Sequence, residues 1–238
     1  LAGLAVVGVG VQMGTPVQAE SRYNKSTIVV APDGLSPFYS TGTYKGSANN
    51  DVSYNSVVVG FLNDAYSPTT NGHFVFGANN RANNESTLAL GNNNEATGPS
   101  STAIGSGSEA TGRDTIAMGN VAKANNADNI AIGTYSEAMT NGQEAYAVAL
   151  GSYAKAKAHM AVSVGAIANA TGTESTAVGA GSTASGQNSQ AFGARNTASG
   201  QNATAIGYGN TSKVEDTITM GTSNNANTGG GIAIGQNN

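Results

Sequence analysis

One period governs this chain. A glycine closes a short apolar segment at Gly60, Gly77, Gly91, Gly105, Gly119, Gly133, Gly151, Gly165, Gly179, Gly193, Gly207, Gly221 and Gly235. The intervals are 17, then four of 14, then 18, then six of 14. Thirteen copies of one short unit with two insertions signal a solenoid, in which each unit packs on its neighbours. Helices are disfavoured, because a glycine and a turn recur too often to leave an uninterrupted stretch of about ten residues.

The pattern inside the unit gives the element type. The residue before each glycine is bulky and apolar in all thirteen copies, from Val59, Phe76 and Leu90 to Met220 and Ile234. The residue before that is Ala in nine copies, and the one before that is again bulky in nine. Bulky, small, bulky, Gly is the period-2 alternation of a strand. Five residues after the glycine stands Ala in eleven of the twelve copies that reach it, with Ser212 the exception. It is read as the inward residue of a second short strand. Each unit is then strand, turn, strand, turn, and thirteen rungs about 4.8 Å apart make a rod about 60 Å long.

The register can be tested. The residue before the inward Ala should face out and stack in a column: Asp64, Arg81, Glu95, Glu109, Lys123, Glu137, Lys155, Asn169, Thr183, Thr197, Thr211, Asn225. All twelve are polar, and most charged neighbours alternate in sign, which suits cross-rung pairs. With Ala on one strand and bulky residues on the other, a single subunit buries little apolar area. A further face must then pack against copies of the same chain. The Ala series between the bulky residues is the candidate, since small side chains allow close approach.

Composition follows from the unit and limits the chemistry. Ala, Gly and Asn supply 99 of 238 residues, against 24 charged and 14 aromatic ones. Asn is read as a turn residue that tolerates left-handed backbone. The lack of cysteine excludes disulfides, thiolate metal sites and Cys nucleophiles. A net charge of −4 without a basic run argues against nucleic acid as a partner. His73, in an insertion, and His159, in a repeat turn, are the only histidines. Both are expected exposed, and two are too few for a metal site. Residues 179–186 resemble a phosphate loop only superficially, because the Lys-Ser/Thr ending is missing. The chain is read as non-catalytic, with no cofactor, no metal and no small-molecule substrate.

The flanks differ from the repeat. Residues 1–19 carry no charge and end in Val17-Gln18-Ala19, which reads as the close of a secretory signal peptide on a fragment lacking its first residues. Residues 20–54 hold five of the fourteen aromatics and form either an N-terminal cap or a tip contact surface. The insertions near 66–73 and 139–146 read as projecting loops.

Residues 55–60 (NSVVVG), 128–133 (DNIAIG), 174–179 (ESTAVG) and 202–207 (NATAIG) resemble the N-S-x-A-I-G repeats of YadA-type trimeric autotransporter adhesin heads. Residues 105–112 (GSGSEATG) resemble that family's G-x-x-S-x-A-x-G half-repeat. The likeness spans about residues 55–238. It implies an all-β, left-handed parallel β-roll solenoid, assembled as a homotrimer at the tip of a bacterial surface fibre. It further implies an outer-membrane anchor in C-terminal parts outside this sequence. The implied function is binding to a host extracellular-matrix protein of the collagen or fibronectin class, or to immunoglobulin, together with autoagglutination. No single contact residue carries over from the family. The residues themselves point to Thr183, Thr197 and Thr211 as a candidate ligand-facing column, because Arg195 is the one charge between 175 and 212. Two other readings remain: a structural spacer or self-association module of a surface or phage fibre, and an ice-binding solenoid with a Thr ladder.

Overall fold

A computed structural model describes residues 56–65, 72–141 and 145–238, with the backbone of three short strands before them. The expected signal peptide, most of residues 20–54 and the centres of both insertions lie outside the described residues. Among those described there is no helix. The strands form two sheets of fourteen, and from Val57–Phe61 onward the strands of the chain alternate between them. The first sheet runs from Ile28–Val30 through Val57–Phe61 to Ile232–Gln236. The second is built of two-residue strands, among them Asp51–Val52, Asp64–Ala65 and finally Asn225–Ala226. The result is a parallel β-solenoid of 14-residue turns.

The predicted register holds. Glycine stands opposite glycine from Gly91 to Gly105 to Gly119. In the second sheet Glu95 stands opposite Glu109, and Glu109 opposite Lys123. Gly105 has φ +130°, and a Cβ built there would overlap the carbonyl oxygen of Gly119 on the next rung. No other residue type satisfies both constraints. The stack also extends beyond the glycine units. Ile28–Val30 pairs in parallel with Val57–Val59, and Asp51–Val52 with Asp64–Ala65, forming a rung without the glycine signature. Tyr44–Lys45 ends the second sheet as an antiparallel neighbour of Asp51–Val52.

Inside and outside are distributed differently from the expectation. In the rung closed by Gly105, the inward residues are Ser101, Ala103, Ser108 and Ala110, all fully buried. Thr102, Ile104 and Glu109 face out and are half-buried. The Ala series between the bulky residues is therefore interior and is not a face for another subunit; the bulky residues are the outward ones. The cause is volume. A 14-residue turn brings the two sheets so close that the core cluster is alanine apart from Val58 and Val75.

Asparagine has a second role beyond turns. Asn79, Asn93, Asn188 and Asn202 do occupy left-handed corners, with φ of 54–56°. Asn80 and Asn94, however, are buried in the interior. The Nδ2 of Asn94 donates to Oδ1 of Asn80 (3.0 Å) and to the carbonyl of Gly105 (2.9 Å). Asn80 Nδ2 likewise donates to Asn63 Oδ1 and to the carbonyl of Gly91. The same ladder recurs at Asn196, Asn210 and Asn224. These amides satisfy corner backbone groups that water cannot reach, which buried polar groups require.

Candidate interaction surfaces

The outer face of the second sheet divides in two. From Asp64 to Lys155 it is a charged column. Arg81 pairs with Asp64 at 3.6 Å, Lys123 with Glu109 at 2.7 Å, and Glu137 with Lys157 at 2.6 Å and Lys155 at 3.8 Å. Burial raises the pKa of Glu137, but the hydrogen bond and charge of Lys157, helped by Lys155 and Lys123, outweigh it and hold the carboxyl below its usual value. Exposed pairs of this kind contribute at most about 1 kcal/mol each; their main effect is to give this face its charge.

From Asn169 onward the same column is neutral. Asn169, Thr183, Thr197, Thr211 and Asn225 stack in register. The three threonines are half-buried. Two residues further on, just past each strand, exposed Thr171, Ser185 and Ser199 set a hydroxyl beside Asn169, Thr183 and Thr197, whereas Lys213 holds that place beside Thr211. The sequence reading had not singled out these hydroxyls, although the same alternation encodes them.

On the outer face of the first sheet the column before the glycines is apolar along the roll, and the column beside it is apolar except at Thr102, Thr176, Gln190 and Thr204. Pairs such as Leu88 and Leu90, Ile130 and Ile132, and Val148 and Leu150 lie half-buried on it. Met118 and Met220 are 37% and 40% exposed. A continuous apolar face of this length is characteristic of an interaction surface.

His73 is not exposed as expected, and His159 lies in the repeat turn as expected but is half-buried. His73 is buried in the interior, and its Nδ1 hydrogen-bonds Thr87 Oγ1 at 2.8 Å. Burial lowers its pKa to about 4. His159 is half-buried, with Tyr146 edge-on to its ring at 6.1 Å. Among the described residues no group of three or more His, Asp or Glu could hold a metal ion.

The comparisons bear on these surfaces. A family model for the YadA head domain repeat (2 copies) matches residues 76–108, 110–136, 156–182, 170–195 and 184–210. Residues 76–210 carry YadA head repeats. The chain thereby belongs to the YadA-type trimeric autotransporter adhesins through its head domain. The main gap between the matches, 137–155, contains the second insertion, where the interval lengthens to 18. No curated protein matches the chain. Adhesins of this family are surface-exposed outer-membrane autotransporters whose heads self-associate and bind host proteins, and they are typically not enzymes.

Proposed function

We propose that this head is exported to the bacterial surface, held in the outer membrane by other parts of its protein, and binds a host extracellular-matrix protein of the collagen class. The fibronectin class, immunoglobulin and autoagglutination through head-to-head contact are the neighbouring readings. The observation that carries the proposal is the neutral column of Thr183, Thr197 and Thr211, with the exposed hydroxyls of Ser185 and Ser199 beside its first two members. A collagen triple helix is itself a straight rod with hydroxylated side chains. It can lie along a ladder of evenly spaced hydroxyls and make many weak polar contacts. Three copies of the roll, associated through the apolar outer face of the first sheet and wound left-handed as in the family, would multiply those contacts through effective concentration.

The test is solid-phase binding of the purified head to collagen, fibronectin and immunoglobulin. It should be run beside a variant with Thr183→Lys, Thr197→Lys and Thr211→Lys. The expected result is saturable collagen binding that weakens at least tenfold in the variant. Unchanged binding would remove the threonine column from the proposal. Binding to none of the three proteins would leave a structural spacer as the function.

A further inference from the structure

Two corners join the sheets in every full rung, and each holds a residue in the left-handed backbone region. One corner lies two residues after the glycine, the other five residues before it. Along most of the roll they carry residues that this conformation suits: Asn79, Asn93 and Gly107 at the first, Asp114, Asn188 and Asn202 at the second. Leu62, with φ of 57° and 44% exposed, is a lone apolar exception in the first glycine rung; in the middle rungs the choice reverses altogether. Val121, Tyr135, Tyr153 and Ile167 occupy the first corner on four successive rungs, with φ of 54–60°. Tyr146 and Met160 occupy the second, with φ of 48° and 54°. β-branched and bulky side chains are outliers in this region. Burial within the subunit does not compensate, since Tyr135, Tyr153 and Ile167 are 42%, 49% and 66% exposed and Tyr146 and Met160 are 44% and 47% exposed. The ridge is nonetheless ordered: the rings of Tyr135 and Tyr153 stack with centroids 5.1 Å apart.

Both ridges flank the apolar outer face of the first sheet, on the same rungs. Across the rung closed by Gly151 the outward order is Tyr146, Val148, Leu150, Tyr153; across the next it is Met160, Val162, Val164, Ile167. On these two rungs the apolar face is four columns wide; on the two rungs before them Val121 and Tyr135 make it three, and on no other rung does it exceed three. Strain kept at exposed positions points to a function. Continuity with the apolar face points to another copy of this chain as the partner.

We propose that the two ridges are the halves of one contact between copies. The corner of Tyr146 and Met160 on one protomer seats against the corner of Tyr135, Tyr153 and Ile167 on the next. In a closed ring each face meets its neighbours through opposite flanks, so the two ridges form a heterologous contact that repeats around the axis. This apolar belt sets register. A repetitive face can slip by one rung, about 4.8 Å, and still match apolar residues with apolar residues. A belt confined to a few rungs loses its partner on such a slip. The inference rests on the reading that the first sheet mediates self-association.

The absence of cysteine makes the test clean. Met160→Cys and Ile167→Cys are placed in one chain, and each alone in control chains. The two positions lie on opposite flanks of strand Val162–Val164, well beyond the ~7 Å that a disulfide can bridge, so an internal bond is excluded. Oxidation of the double variant should give covalent trimers on a non-reducing gel, and neither single variant should cross-link. Covalent dimers from a single variant would show like flanks meeting and overturn the heterologous contact. Absence of cross-links in a chain that sediments as a trimer would overturn the belt and leave the trimer. A chain that sediments as a monomer would overturn the self-association reading and the belt together. A second variant, Tyr135→Asn with Tyr153→Asn, places a corner-compatible residue at both sites. It should keep the β circular dichroism signal and raise the trimer dissociation concentration at least tenfold; an unchanged concentration would overturn the belt.

Discussion

The two sheets share one interior and differ in what they show outside. In the rung closed by Gly119, Ala117 on one strand and Ala124 on the other are both buried. Their neighbours Met118 and Lys123 face out, one on an apolar surface and one in a charged column. The interior is built of small side chains, chiefly Ala, on nearly every rung, while the outer column of the second sheet changes from charged to neutral along the roll. The fold is thus held by inward positions and corners, and the outward positions are available for partners. The largest expected effect tests this division within a single strand. Ala117→Leu forces extra volume into a filled interior and should cost about 3 kcal/mol. Met118→Asn, one residue away, should leave subunit stability within about 0.5 kcal/mol and weaken self-association instead. Urea unfolding and sedimentation of the two variants give the comparison. If Met118→Asn destabilised the subunit more than Ala117→Leu, the division would fail.

Much of this was legible in the sequence, because a fixed period makes register unambiguous. The glycine spacing alone gave the rung, and the polar column from Asp64 to Asn225 predicted the pairing of the second sheet residue by residue. The phase of the first strand was not legible. Bulky, small, bulky, Gly declares that alternate residues face opposite ways, but it does not say which set faces in. Size ordinarily places Ile and Leu inside; here the narrow turn keeps them out and takes mainly Ala between them, and the usual rule inverts. The rung of Ile28–Val30 was hidden for a different reason, since it lacks the glycine that marked the others. The hydroxyl ladder at Thr183, Thr197 and Thr211 was visible as a column, whereas the corner residues Tyr135 and Tyr153 became informative only once their φ values were known.

One variation of the interior is titratable, which gives the next prediction. Ser, Thr, Asn or Ala fills the inward position four residues before the glycine on most rungs, but His73 fills it in the rung closed by Gly77. It is the one titratable side chain buried among the described residues. Its pKa falls from 6.5 to about 4 on folding, so the unfolded chain takes up the proton first as pH drops. The stability it permits is therefore complete above pH 6.5 and lost progressively as pH falls towards 4. The size of the loss is up to about 3 kcal/mol. His73→Thr, which copies Thr87 on the next rung, should flatten that slope. Urea midpoints of both proteins between pH 4 and pH 7.5 measure it, and parallel profiles would show that His73 is not the group responsible.

The smallest effect lies in the outer charged column, and its smallness is the point. Lys123 and Glu109 meet at 2.7 Å, yet both side chains remain open to water, at 34% and 41% exposure. Solvent screens such a pair, and holding two long side chains together costs entropy, so Lys123→Ala should lower stability by less than about 1 kcal/mol. Most of that difference should vanish in 1 M salt, where the screening length shrinks to about 3 Å. Thr197→Ala, in the neutral half of the same column, should be equally mild and insensitive to salt. Denaturation of both variants at low and high salt checks the pair. A loss of several kcal/mol from either one, persisting in salt, would mean that the outer columns help to hold the roll together, and would limit how far they could vary to suit a partner.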